Sequence, residues 1–528
     1  MELKGRSIIG WENGDSGGRT FTATNPATAQ SIPPSYVCAS LQEVDRAVQL
    51  AAQAFENFSR LSGKEKGAFL RAIATGIEGI ADALADRTSK ESGLPEARIR
   101  TETGRTVFQL RLFAQLIEEG SWVNARLDRP DPTRKPVPKP DLRSMWRPLG
   151  PVAVFGSSNF PLAFSVAGGD TASAFAAGNP VIVKAHSAHP GTSEMVGEVI
   201  RAAARECKMP EGIFSLIYGA GAEVGIALVR HPLMKAVGFT GSESGGRALM
   251  DAAAARPHPI PVYAEMGSTN PVFLLPGALA SRAEQIAEGM HGSVTLGAGQ
   301  FCTKPGMVFV PAGPGAENFA QGLMRRISES PAQVMLTPQI HSSYKGLVAA
   351  RAKESSVAVV AEGEDASSAP GVRATPTLFA VEGREFARNP GLAEEIFGPS
   401  AIVVSCSDRA EMIEIARGLD GHLTATIHGT EDDLREYRDL IEILEQKVGR
   451  LVFNGFPTGV EVGHAMIHGG PYPATADGRS TSVGTQAIYR FARPVCYQNF
   501  LSVALPDELK DGNPLHIWRL ADGSLTKD

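Results

Sequence analysis

Between Gly150 and Ala255 the chain repeats one pattern, a short apolar run bounded by Gly or Pro and then a helical stretch. Gly150–Gly156 (GPVAVFG) is followed by a helical stretch through Gly178, and Pro180–Lys184 (PVIVK) renews the strand pattern. Gly212–Tyr218, a helix from Ala222, Ala236–Gly241 and a helix over Glu243–Ala255 continue it. Consecutive strand–helix–strand units dictate a parallel sheet, because each parallel return needs a crossover and the crossover helices cover the sheet faces. Such sheets present ligands with the carboxyl ends of their strands. From about Tyr263 the alternation restarts. Strand-like Pro271–Leu275, a helix near Leu279–Ala298 and a strand at Met307–Val310 lead into further alternation to about Ile427, which predicts a second α/β domain.

The flanking regions read differently. Residues 41–120 are Ala-rich and amphipathic, with Val44, Ala47, Val48, Ala51, Ala52 and Phe55 on one helical face. Asp128–Asp141 (DRPDPTRKPVPKPD) holds five prolines among alternating charges, which prevents helix and marks an extended connector or arm. Beyond Gly449 the chain is rich in Gly, Pro, Thr and aromatics and reads as loops with extended tail segments.

With 528 residues, 43% hydrophobic and 20% charged, the chain is long enough for two or three domains with large cores. A formal charge of −6 gives no electrostatic reason to expect nucleic acid or an anionic membrane as partner, which leaves small-molecule chemistry. Five dispersed cysteines, with no C-x-x-C pair, suggest neither a zinc site nor a disulfide framework and fit a reducing compartment. The N-terminal stretch lacks the apolar core of a secretory signal, and no stretch approaches the ~20 apolar residues of a membrane helix. A cytoplasmic location is expected. The sequon Asn57-Phe58-Ser59 is read as a chance occurrence in a helix.

Five places have the residue types for chemistry. Cys302, in Gly297–Gly306 (GAGQFCTKPG), stands among small residues where a helix ends, and a nucleophilic thiol needs exposure and thiolate stabilisation. The other four cysteines sit in helix-like or apolar contexts suited to burial. Glu265 follows the strand-like Pro261–Ala264, so it is either a working carboxylate at a strand end or a capping acid. Asn159, in the loop after the first strand, either donates its amide to an oxyanion or stabilises the turn. Gly241-Ser242 opens a Gly-rich strand-to-helix turn suited to a pyrophosphate. Lys184 ends its strand within reach of a ribose, or is merely solvated. Gly219–Gly225 (GAGAEVG) has one residue too many for the G-x-G-x-x-G fingerprint and is not counted as one.

Taken in order, Asn159 in SSNFP, Lys184 in VIVKAH, Gly241-Ser242 in GFTGS, Glu265 in AEMGS, Cys302 in GQFCT and Glu395–Pro399 (EIFGP) resemble the successive motifs of the aldehyde dehydrogenase superfamily. The resemblance covers nearly the whole chain. It implies a Rossmann-like cofactor domain (1–127 and 149–263), a second α/β catalytic domain (264–478) and a small β oligomerisation arm (128–148 and 479–528), giving a homodimer or homotetramer. It also implies NAD(P)-dependent oxidation of an aldehyde: Cys302 as nucleophile, Asn159 as oxyanion donor and Glu265 as the base that hydrolyses the thioester. The presence of Glu265 argues against the phosphorylating and CoA-acylating branches. Lys184 and Glu395 would bind ribose hydroxyls, Phe397 would pack near the nicotinamide and Ser242 would contact the pyrophosphate. No metal is implied.

Glu265–Thr269 (EMGST) and the absence of an Arg shortly after the cysteine depart from the common pattern. With Lys184–Ser193 (KAHSAHPGTS) they resemble the branch holding α-ketoglutarate semialdehyde (2,5-dioxovalerate) dehydrogenases and a fatty aldehyde dehydrogenase of luminous bacteria. The semialdehyde is the preferred substrate, a medium- or long-chain aldehyde the alternative, and a silent nucleotide-binding paralogue the third reading. Ala185, His186 and Ser187 place no carboxylate after the strand-end lysine to repel a 2′-phosphate, so NADP is expected ahead of NAD, with His186 and Ser187 as candidate contacts. A remote substrate carboxylate calls for an arginine fork, for which Arg479, Arg490 and Arg493 are candidates.

Overall fold

The alternation of apolar runs and helices becomes two separate seven-stranded sheets in the computed structural model, which describes residues 2–365 and 370–528. The first sheet runs in the order Val262–Glu265, Ala236–Thr240, Val152–Phe155, Val181–Lys184, Phe214–Ile217, Ile8–Ile9 and Glu12–Asn13. Its first five strands are parallel, Ile8–Ile9 runs against them, and Glu12–Asn13 turns back beside it at the edge. Val152–Phe155 is first in sequence among the parallel strands, yet it lies in the middle. The chain therefore winds outward in both directions from it, and a crevice opens where the direction reverses, between Val152–Phe155 and Ala236–Thr240. Register sets Phe155 beside both Lys184 and Phe239, and Thr240 beside Glu265, so these residues share the carboxyl edge of the sheet.

Burial on both faces explains the strand composition: Val152–Phe155 and Phe214–Ile217 are buried throughout, without polar alternation. One face is covered by the helices Gly63–Gly79, Ala81–Ser92 and Glu96–Glu119 with the crossovers Gly169–Ala177 and Pro190–Glu206, and the other by Leu41–Phe58 with Glu223–Arg230 and Glu243–Ala254. Ser40 and Glu43 form a capping box at the start of the first helix, and Ser62 and Glu65 repeat it at the second. Phe58, Phe69 and Phe175 meet edge-on in this core, with centroids 5.2–6.4 Å apart.

The helix expected through Gly178 begins only at Gly169. Between Gly156 and Gly168 the chain is a loop, held by a carboxylate from another element. Buried Glu102, on Glu96–Glu119, accepts the amides of Leu162 at 2.8 Å and Ala163 at 2.9 Å. A tertiary partner for those donors removes the need to satisfy them within a helix.

Six parallel strands and one antiparallel edge strand form the second sheet, in the order Ala358–Glu362, Thr377–Glu382, Ser400–Cys406, Met307–Pro311, Val272–Leu274, His422–His428 and Val448–Phe453. A third, five-stranded sheet pairs Ala492–Gln498 with Leu142–Pro148, and then Arg126–Asp128, Arg519–Ala521 and Ser524–Thr526. It unites the segments flanking the Pro-rich connector with the C-terminal tail, and Phe500, Leu501, Val503 and Leu525 are exposed in its tail segment.

Phe175 is 1% exposed at the centre of the aromatic cluster. Phe175→Ala is expected to lower stability by about 3–5 kcal/mol. An earlier urea midpoint at unchanged slope checks this, and a loss below about 1 kcal/mol would show that the crossover helix is not anchored there.

Candidate functional site

Where the two large sheets meet, a cavity of about 1560 Å³ extends from the carboxyl edge of the first sheet to the loop carrying Cys302. Asn159, His186, Ser187, Gly241, Ser242, Glu265, Cys302, Glu395 and Phe397 all line it. Lys184 does not; it ends the neighbouring strand half-buried, and burial lowers its pKa. Of the Gly219–Gly225 segment only Ala220 reaches the cavity.

The cysteine loop is shaped by backbone that few residues tolerate. Gly297, Ala298 and Gly299 adopt left-handed φ of 57°, 57° and 64° after the helix Pro276–Thr295. A Cβ on Gly299 would stand 2.3 Å from the Gly398 carbonyl oxygen, so glycine is what allows this turn to reach the Glu395–Pro399 segment. Asn270 then fixes the far side. Its fully buried amide donates to the carbonyls of Cys302 at 2.8 Å and Lys304 at 2.9 Å, while its oxygen accepts from Ser268 and Thr424. Lys304 in turn donates to the carbonyls of Ile396 at 3.0 Å and Ser400 at 2.8 Å.

Glu265, Cys302 and His468 present a carboxylate oxygen, a sulfur and a ring nitrogen that all lie within 4.8 Å of one another. His468 Nε2 is 3.6 Å from Cys302 Sγ and 3.0 Å from Glu265 Oε1; Ser482 donates its hydroxyl to the other carboxylate oxygen at 2.7 Å. Burial pulls the Glu265 carboxyl upward, but the charge and contact of His468, with the Ser482 and Cys302 hydrogen bonds, outweigh it and hold Glu265 below the usual carboxylate range. Cys302 moves the opposite way, since burial and then the Glu265 charge push its thiol well above the ordinary value. At neutral pH the resting pair is therefore an ionised carboxylate beside a protonated thiol. This corrects the expectation of an exposed cysteine with a stabilised thiolate: Cys302 is only partly exposed, whereas Cys496, expected to be buried, is the exposed one. Among the described residues these three side chains are also the one group of donors spaced to hold a metal ion.

Asn159, 7% exposed, donates one amide hydrogen to the Gln300 carbonyl at 3.0 Å and keeps a second available beside the cysteine. Its loop is pinned from behind. His189 Nε2–H donates to the Ser157 carbonyl at 2.9 Å, and the His189 ring stacks on His186 with centroids 5.4 Å apart. His186 Nδ1 accepts the Ala188 amide at 3.1 Å, which leaves its Nε2 as the free ring nitrogen.

At the other end of the cavity, Ser242 caps the helix Glu243–Ala254 and accepts the Gly245 amide at 3.2 Å. Glu395 is half-buried with its carboxyl turned inward, where burial raises it to about 7 and the charge of Lys304 only partly offsets this. Its Oε1 has no hydrogen-bond partner. A Cβ on Gly267 would stand 2.3 Å from its Oε2, so the carboxylate keeps its place only because that position is glycine. An unsatisfied buried acceptor, a capped helix terminus and an elongated cleft at the switch point together fit a dinucleotide, whose ribose hydroxyls are donors and whose pyrophosphate is an anion.

The three arginines proposed for a substrate carboxylate lie elsewhere. Arg490 is buried in an ion pair with Asp170 at 2.6 Å, Arg479 is exposed beside Asp477, and Arg493 is exposed on a strand of the five-stranded sheet. His468, Ser482, Asn270 and Glu102 were not found from sequence. The first two come from a loop-rich stretch, and nothing local signals that it folds back against the end of the Val262–Glu265 strand, where Met266 N donates to the Ala474 carbonyl at 2.8 Å.

If the Glu265 charge raises the Cys302 pKa, Glu265→Gln should move the pH profile of Cys302 alkylation by iodoacetamide to lower pH by about one unit. A profile that moves upward would instead mean that Glu265 accepts the thiol proton in the resting state.

Residues 11–485 match the model of the aldehyde dehydrogenase family. Over 524 residues, 99% of each chain, the sequence is 48% identical to alpha-ketoglutaric semialdehyde dehydrogenase 2 of Azospirillum brasilense. It is 45% identical over 530 residues to alpha-ketoglutaric semialdehyde dehydrogenase of Acinetobacter baylyi, covering 100% of both. The fold superposes with a TM-score of 0.80 on apo betaine aldehyde dehydrogenase of Staphylococcus aureus, at 21% identity over 96% of this chain and 98% of that one. It gives the same score with an NAD+ complex of aldehyde dehydrogenase from Bacillus cereus, at 22% identity over 93% and 96%. With Cys302, Glu265 and a cleft fitted to a dinucleotide brought together in one cavity, and with a family match over residues 11–485, the chain belongs to the aldehyde dehydrogenase family and is an aldehyde dehydrogenase.

Proposed function

We propose that the enzyme oxidises α-ketoglutarate semialdehyde to α-ketoglutarate and uses NADP in preference to NAD. The observation that carries the chemistry is the convergence of Cys302, Glu265 and Asn159 on one cavity, with His468 buried against the first two. Full-length identity to two semialdehyde dehydrogenases supports the substrate.

Each side chain has a defined task. Cys302 Sγ bonds to the aldehyde carbon as its proton passes to Glu265, directly or through His468 Nε2, both within reach of the sulfur. The carbonyl oxygen becomes an oxyanion held by the second Asn159 amide hydrogen and by the Cys302 backbone N–H, each worth ~3 kcal/mol in the transition state. When bound, the dinucleotide supplies the acceptor for the hydride that leaves this carbon, converting the thiohemiacetal to a thioester. After passing the thiol proton on to solvent, Glu265 removes a proton from a water that attacks the thioester carbon; the C–S bond breaks, the product leaves as a carboxylate as its own proton goes to solvent, and the sulfur takes back the proton held by Glu265. A carboxylate held below its usual range is ionised at neutral pH and ready for that proton.

Glu395, with its unpartnered oxygen, is placed for ribose hydroxyls, Ser242 and the helix it caps for the pyrophosphate, and Phe397 for the nicotinamide. Lys184 would reach a ribose only from the rim. For NADP the support is the Lys184–Ala188 turn, which carries no carboxylate and offers His186 Nε2 and Ser187. Burial, the neighbouring His189 and Lys184 keep His186 neutral in the free enzyme, so a 2′-phosphate would be met by a neutral N–H donor or would itself draw a proton to the ring.

The third sheet, with its exposed apolar tail, is the proposed assembly surface of a homodimer or homotetramer. A cytoplasmic location is supported by five free cysteines, and among the described residues no helix is long and apolar enough to cross a membrane.

The deciding experiment is initial-rate reduction of NADP and NAD with the semialdehyde and decanal as parallel substrates. Preference for decanal would move the enzyme to the fatty aldehyde reading. Cys302→Ala is expected to abolish oxidation while leaving dinucleotide binding intact, and retained turnover would overturn the covalent mechanism. His186→Ala should raise the KM for NADP about tenfold with little change for NAD; equal changes for both cofactors would remove His186 from phosphate recognition.

A further inference from the structure

Three half-buried guanidinium groups lie near the cysteine loop, Arg105 and Arg450 close enough for their charges to couple to Cys302 and Arg98 over the Phe301 ring, and they differ in how much hydrogen-bonding capacity they have left. Arg450 donates both terminal nitrogens to backbone, at 3.1 Å to Gly459 and 2.6 Å to Pro457. Arg98 donates one terminal nitrogen to the Asn159 carbonyl at 2.7 Å, and it is sandwiched by Phe160 and Phe301 with ring distances of 5.0 and 4.7 Å. These two brace the site. Arg105 is different. Its Nε makes a long contact of 3.3 Å to the Val460 carbonyl, and both of its terminal nitrogens are buried without a partner. Among the described residues it is the only arginine with both terminal nitrogens in that condition.

Position adds to this. Arg105 lies on the helix Glu96–Glu119 with its guanidinium 5.1 Å over the Phe164 ring. Phe164 lines the cavity and stands 6.0 Å from the His468 ring, whose Nε2 approaches the cysteine sulfur. The Arg105 charge is felt by both Cys302 and Glu265. Glu102, one turn earlier on the same helix, offsets part of the charge, but it spends one oxygen on two loop amides and forms no hydrogen bond to Arg105. A buried fork with two free donors is costly unless something accepts from it. A carboxylate has the matching geometry, taking two parallel N–H bonds.

We infer that Arg105 is the specificity residue that receives the remote carboxylate of the substrate, its two terminal nitrogens binding the two carboxylate oxygens while Phe164 holds the guanidinium plane beside the aldehyde-reacting cysteine. This deepens, and rests on, the reading of the substrate as a semialdehyde with a distal carboxylate. The assignment separates two jobs that a single pocket must do: the cysteine end handles the aldehyde, and the helix end measures whether an anion sits at the far end of the chain. Uncharged aldehydes leave the fork unsatisfied and are discriminated against for that reason.

The test compares kcat/KM for α-ketoglutarate semialdehyde and pentanal in wild type, Arg105→Met and Arg105→Lys. Methionine keeps an apolar stem on Phe164 and removes the charge; lysine keeps the charge and removes the fork. The ratio of semialdehyde to pentanal efficiency should fall about a hundredfold in Arg105→Met and by an intermediate factor in Arg105→Lys. A wild-type preference for the semialdehyde that survives unchanged in Arg105→Met would overturn the assignment alone, as would equal loss on both substrates. Wild-type enzyme that shows no preference for the semialdehyde would overturn the substrate reading and this assignment with it.

Discussion

The short crossing from Glu265, at the end of the first sheet, to Val272, at the start of the second, is the constraint on which the site depends. Asn270 sits within it, fully buried and in a left-handed backbone conformation with φ 49°. By donating to the carbonyls on either side of Thr303 it ties the cysteine loop to the crossing itself. The carboxylate of one sheet and the thiol of the other are thus held by a common element, and their spacing does not rely on how two separate domains happen to dock. Each of these bonds is made in a dry interior, where an unmet amide costs ~1–3 kcal/mol, so alternative loop positions are strongly disfavoured.

That rigidity sets the electrostatics. Packing a carboxylate and a thiol together away from water forces one of them to be neutral, and His468 and Ser482 decide which. Their contacts to Glu265 keep it ionised, so the proton stays on sulfur until a substrate arrives. A resting thiol is less open to oxidation than a thiolate, which suits a cysteine that lines a broad cavity.

The cavity also separates what its ends recognise. The cofactor end is made of a capped helix terminus, small residues and one carboxylate with an unused oxygen. On the opposite side Phe160 and Phe164 line the cavity, and behind them the guanidinium groups of Arg98 and Arg105 stack on these rings and on Phe301. Rings spread the guanidinium charge over polarisable surface and exclude water, which strengthens every polar contact made beside them.

The strands of the two parallel sheets and the order of the motifs are legible in the sequence. Parallel strands read as apolar runs bounded by Gly and Pro, and Asn159, Gly241, Glu265 and Cys302 fall at their ends or in adjoining loops because local backbone chemistry puts them there. The Pro-rich stretch likewise excluded helix without any tertiary information. What only the tertiary structure decided are the partners that arrive from far along the chain. His468 and Ser482 reach Glu265 from over two hundred positions away, Glu102 holds open a loop that periodicity assigned to a helix, and Arg105 stacks on the cavity-lining Phe164 from a helix that reads as scaffold. Arg490 shows the converse, since a plausible substrate arginine is consumed by Asp170. A side chain's burial and its hydrogen-bond partners depend on which surfaces the fold brings together, and in a chain dominated by long-range contacts no local pattern encodes them.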